Sequence, residues 1–124
     1  MNDNFRVKII NKQGSFIEKN MSDGNHEMPF LLKIGSNLKV RKALFILHGH
    51  GANKSYAKFH SDEWIVVCPL DIYGTDGLGS WWLGENGDFF TFRLLQSLIL
   101  NIKKEYDLEE VYFWGSSMGG YGSL

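Results

Sequence analysis

Three short runs without a single charged residue constrain this chain more than anything else in it. Ala43-Leu44-Phe45-Ile46-Leu47 is apolar throughout and stops at His48-Gly49-His50-Gly51. Trp64-Ile65-Val66-Val67-Cys68 is halted by Pro69, and Val111-Tyr112-Phe113-Trp114 by Gly115. Strands this short, with no alternation, belong in a parallel sheet buried on both faces. Parallel neighbours need crossovers, usually helical. Asn53 to His60 can supply a short one. Phe92 to Tyr106 supplies a longer one, with Phe92, Leu95, Ile99, Ile102 and Tyr106 close to one helical face. Lys103 and Lys104 near its end suit the helix dipole. The order strand–helix–strand–helix–strand predicts an α/β fold, a mostly parallel sheet with crossover helices.

Residues 1–42 read as a strand-rich lead-in to the same domain. Phe5, Val7 and Ile9 alternate with Arg6 and Lys8, the period of a half-buried strand. Ser22-Asp23-Gly24 signals a turn, and the run from Pro29 to Ile34 ends at Gly35. No repeat or linker marks a boundary, and 124 residues are enough for one domain. A charged fraction of 22% beside 44% hydrophobic residues is ordinary for a globular protein. With 13 Lys+Arg against 14 Asp+Glu and no basic block, nucleic acid and anionic membrane surfaces are excluded as main partners. Cys68 is the single cysteine, read as a buried core thiol, so nothing points to an oxidising compartment. The first residues lack the apolar stretch of a signal peptide, and no apolar run approaches the ~20 residues of a membrane span. A cytoplasmic location is the expectation.

In open sheets of this kind function gathers at the carboxyl ends of the strands. The loops that follow the three runs, 48–54, 69–90 and 115–120, are glycine-rich or polar. Gly115-Ser116-Ser117-Met118-Gly119 reads G-x-S-x-G centred on Ser117, after a strand and before an expected helix. A sharp strand-to-helix turn needs small flanking residues, and it lifts the serine to the sheet edge. There the unpaired N–H groups of a helix N-terminus point at the same spot. Acyl transfer develops negative charge on a carbonyl oxygen, which preorganised N–H donors stabilise. One donor is the amide after the nucleophile, Met118. The other belongs to a loop after an earlier strand, and the 48–51 turn fits, with the His50 amide first and Gly51 second.

These residues resemble a known group. Ser117-Met118-Gly119-Gly120-Tyr121-Gly122-Ser123-Leu124 is similar to the nucleophile elbow of the esterase D, feruloyl esterase and mycolyltransferase group of α/β-hydrolases. The strand ending in His48-Gly49-His50-Gly51 and the strand ending at Pro69 sit upstream as in that group. The segment Gly79-Ser80-Trp81-Trp82 resembles its glycine- and tryptophan-bearing loop. The resemblance covers residues 43–124. It implies a partial α/β-hydrolase fold and a serine esterase or acyl hydrolase working through a Ser117 acyl-enzyme, without a cofactor. The substrate would be a small-molecule or glycan ester, with Trp81 and Trp82 lining its pocket. In this fold the triad runs Ser, then acid, then His along the chain. The acid and base are therefore expected beyond Leu124, in a C-terminal part that these residues lack, and the 124 residues alone are expected to be inactive.

Two other readings stand beside this one. A pseudoenzyme or binding module of the same fold would keep the elbow and lack the triad. A metallohydrolase would use His48-x-His50, though Ala52 and Asn53 stand where H-x-H-x-D-H would place two further ligands.

Overall fold

The computed structural model describes residues 5–14, 16–35, 41–49, 51, 56, 58–77 and 79–115. Its strands are β1 (Arg6–Gln13), β2 (Phe16–Ser22), β3 (Glu27–Ile34), β4 (Lys42–Leu47), β5 (Ile65–Pro69) and β6 (Glu110–Gly115), with one long helix, α1 (Phe90–Glu105). They form a single sheet in the order β1-β2-β3-β5-β4-β6. The three apolar runs become β4, β5 and β6, and β4 pairs in parallel with both of its neighbours. The lead-in contributes β1, β2 and β3, an antiparallel meander joined to β5 through β3.

Chain order and sheet order differ where it matters for function. The crossover between β4 and β5 and that between β5 and β6 place β4 in the middle of the parallel half. Every strand of that half runs the same way, so Leu47, Pro69 and Gly115 end their strands at one edge of the sheet. Half of the expected crossover from Asn53 to His60 falls outside the described residues, and Tyr56 and Lys58–His60 are not helical.

The longer crossover is α1. Its buried residues are Phe90, Thr91, Leu94, Leu95, Ser97, Leu98 and Ile102, a stripe at three- and four-residue spacing. That stripe lies rotated from the one drawn through Phe92, whose side chain is exposed. Phe90 and Leu94 take the inward positions because α1 packs over β2 and β3. At its end Asp107 adopts a left-handed φ of 50°. The Leu108 N–H donates to Lys103 O at 2.9 Å and the Asp107 N–H to Lys104 O at 3.4 Å. This pair of bonds satisfies carbonyls that a helix end leaves open, and buried Leu108 seals the turn. Glu109 then donates to Arg41 O at 2.8 Å, so β6 starts beside the start of β4.

The main core lies between the sheet and α1. It contains Ile17, Met21, Met28, Phe30, Leu32, Ala43, Phe45, Leu47, Ile65 and Val67 from the strands, closed by Trp82, Leu94, Leu98 and Ile102. On the other face Ile46, Val66 and Cys68 form a smaller cluster with Leu31, Leu44 and Tyr56 beside it. The alternation at Phe5, Val7 and Ile9 predicts a half-buried strand, yet every residue of β1 is exposed. β1 is the outermost strand, and a bulge between Ile9 and Asn11 breaks its alternation.

Candidate active site

Sequence reasoning puts the candidate site at the carboxyl edge of the parallel strands. Leu47 of β4 is in register with Gly115 of β6, so the chain that continues into His48 and the chain that continues into Ser116 start side by side. Ser117, Met118 and His50 lie outside the described residues. What the structure does describe is the start of the His48 loop and most of the long loop between β5 and α1.

His48 is the first residue past β4 and is half-buried. Its Nδ1 lies 2.8 Å from Gly49 O, and its Nε2 accepts the Asp71 N–H at 2.8 Å. A carbonyl can only accept and a backbone N–H can only donate, so the network assigns the neutral ring with its proton on Nδ1. Burial holds the imidazole below its ordinary value, against the Gly49 carbonyl and the Asp71 charge, which both favour protonation. With both nitrogens engaged, the ring offers no lone pair to a metal and none to a serine hydroxyl. The histidine–metal reading loses its first ligand on that ground.

Asp71 follows β5 by two residues and is fully buried, at 0% exposure. Its carboxylate accepts the Ser80 N–H at 2.7 Å, the Trp82 N–H at 2.9 Å and the Tyr73 N–H at 3.3 Å. The Ser80 hydroxyl stands 3.0 Å from both of its oxygens. A buried carboxylate is costly unless such donors surround it. Here the donors are the loop's own backbone, so the loop folds around the charge. In the sequence Asp71 is one acid among several in the polar 69–90 loop. The legible signal is its position just past Pro69, with a serine nine residues on.

The path of this loop is tight. Gly74 has φ +86°, and a Cβ there would sit 2.0 Å from Gly79 O, so only glycine fits. The adjacent tryptophans Trp81 and Trp82 both hold positive φ, 57° and 64°. Bulky residues in that region cost on the order of 1–3 kcal/mol each. The carboxylate bonds to Ser80 and Trp82 hold the chain there against that strain. The two side chains separate as a result. Trp82 is 1% exposed, packs in the main core and lies 4.7 Å from the His48 ring. Trp81 is 45% exposed.

No family model matches this sequence, and no curated protein is found similar to it. Solved structures are. The chain is similar to an acetyl xylan esterase from Paenibacillus sp. R4, with TM-score 0.55 and 14% identity over 94% of this chain and 46% of that one. It is also similar to a cold-adapted esterase from an Arctic intertidal metagenomic library, with TM-score 0.54 and 16% identity over 90% and 55%. A thermostable carboxyl esterase from Bacillus coagulans gives TM-score 0.56 and 17% identity over 94% and 39%. The chain thus spans about half the length of the structures it matches. Identities this low speak to architecture: the chain has a partial α/β-hydrolase fold. No helix among the described residues is long and apolar enough to cross a membrane.

Proposed function

We propose that this chain carries the nucleophile and oxyanion loop of a carboxylic-ester hydrolase of the esterase D type. The observation that supports this best is the register of Leu47 with Gly115. It starts the His48–Gly51 loop and the Gly-x-Ser-x-Gly turn on neighbouring parallel strands, at the same edge of the sheet. The esterase fold of the structural neighbours agrees with it.

In this reading Ser117 Oγ attacks the ester carbonyl carbon. The C–O bond to the alcohol breaks, the alcohol leaves with a proton, and an acyl-enzyme remains. The N–H groups of Met118 and His50 hold the oxyanion. Water then attacks the acyl-enzyme, releases the acid and returns the proton to Ser117. The general base is not His48, whose Nε2 is already an acceptor for Asp71. The fold's chain order assigns the base and its acid to positions after Ser117. The substrate is a small-molecule or glycan ester, with exposed Trp81 on its approach.

The test is fluorophosphonate labelling of the native full-length protein, with the labelled peptide mapped by mass. Label on Ser117 is expected. Ser117→Ala is expected to abolish it and to lower ester turnover by roughly 1,000-fold or more. An unlabelled, folded full-length protein overturns the reading in favour of a binding module.

A further inference from the structure

We propose that Asp71 is a positioning residue for the oxyanion side of the site, acting through His48; this rests on the ester-hydrolase reading above. Asp71 faces two ways. Its backbone N–H holds His48 Nε2, the first side chain past β4, while its carboxylate gathers Tyr73, Ser80 and Trp82 from its own loop. One residue therefore locks the exit of β4 to the exit of β5. His48 is clasped from the other side by the Gly49 carbonyl and by the buried Trp82 ring, itself fixed by the same carboxylate.

That arrangement specifies geometry more than it adds stability. An apolar side chain could fill the volume without desolvating a charge. It could not hold two tryptophans at positive φ, nor keep the Asp71 N–H aimed at the His48 ring. Oxyanion donors act only when placed to within about 0.5 Å, and a misplacement of about 1 Å costs on the order of 100-fold in rate. In the ester-hydrolase reading an amide of the 48–51 loop is such a donor, so a lock on His48, where that loop begins, would carry through to the transition state. Ser80 extends it, since its hydroxyl bridges both carboxylate oxygens.

The experiment uses the full-length protein and its Asp71→Asn and Ser80→Ala variants, with Asp88→Asn as an exposed control that pairs only with Arg93 among the described residues. Turnover of p-nitrophenyl acetate, the rate of fluorophosphonate labelling, thermal melting and the ¹⁵N spectrum of the imidazoles are measured on each. Asp71→Asn is expected to lower kcat and the labelling rate together by about 30- to 300-fold, with KM within about threefold. Ser80→Ala should lose about 3- to 30-fold in the same two quantities. The wild-type His48 spectrum should show protonated Nδ1 and bare Nε2, and Asp71→Asn should mix in the other tautomer while His60 stays unmoved. If Asp71→Asn only lowers the melting temperature, the residue is a brace for stability and the proposal fails. A raised KM with unchanged kcat makes it a substrate contact, and the proposal fails equally. If Asp71→Asn does not fold, the Ser80→Ala values decide. Should the wild type itself neither label nor turn over, the hydrolase reading falls alone. The His48 spectrum then decides whether Asp71 positions that ring.

Discussion

Along β4 and β5, residues one position apart meet different surroundings. Ala43, Phe45, Leu47, Ile65 and Val67 point to the face that α1 closes, and all are buried in the main core. Leu44, Ile46, Val66 and Cys68 point the other way, into a cluster with three buried members. On β6 exposure is higher on both sides. Phe113, in register with Phe45, leans on that ring at 5.5 Å and is still 37% exposed. Tyr112 and Trp114, in register with Leu44 and Ile46, are 43% and 61% exposed among the described residues. An uninterrupted apolar run tells which strands expect cover on both sides. It does not tell which side is covered by the elements at hand, and the free energy of burial accrues only where cover exists.

The largest effect should therefore come from the α1 side. Phe45→Ala removes a fully buried ring from the centre of the main core, which is expected to cost about 3–5 kcal/mol in urea unfolding. A loss below about 1 kcal/mol would mean that this face is packed no better than the other, and the comparison would collapse.

Much of this architecture was legible before any coordinate. The three apolar runs fall on β4, β5 and β6 within a residue at each end, because a charged residue precedes each run and His48, Pro69 or Gly115 ends it; β6, expected to be buried on both faces, is exposed along most of its length. The helix was legible too, but its inward face was not. Phe92 and Phe90 are equally apolar, and only the packing over β2 and β3 decides that Phe90 turns in. The site divides in the same way. His48 at a strand end is visible as a pattern, whereas its tautomer depends on the N–H of Asp71, 23 residues away. Trp81 and Trp82 cannot be told apart by type. Their opposite exposures follow from left-handed backbone that Asp71 stabilises, a long-range cause that leaves no local trace.

A smaller effect tests whether the covered side extends to the carboxyl edge. His48 packs on Trp82, a member of the main core, and burial holds its ring below the ordinary value of 6.5. The unfolded chain takes up this proton first as pH falls. Between 6.5 and the lower folded value the unfolded state thus binds more protons, and stability is lost as pH falls through that window. Above 6.5 both states are neutral at this ring and the contribution is flat. His48→Gln should flatten the acidic limb of a stability–pH curve relative to wild type. Identical slopes in the two proteins would place the ring in a watery setting and detach the loop from the core.

The smallest expected change lies on the opposite face. Trp114→Ser removes the largest exposed ring of β6, which lines an apolar groove of about 390 Å³ with Leu44, Ile46, Lys58 and Phe59. Since the ring already meets solvent over most of its surface, its removal should move the unfolding free energy of these 124 residues by no more than about 0.5 kcal/mol. It should lower the binding of an apolar dye such as ANS, because a contiguous exposed patch is what such dyes report. Run in the native protein, the same substitution separates two accounts of this groove. A cost that stays near zero means the groove faces water there too. A cost that climbs to about 3 kcal/mol or more, the range for a buried aromatic, means that other parts of the protein lie over Trp114, and that this face differs from the α1 face only in where its cover comes from in the chain.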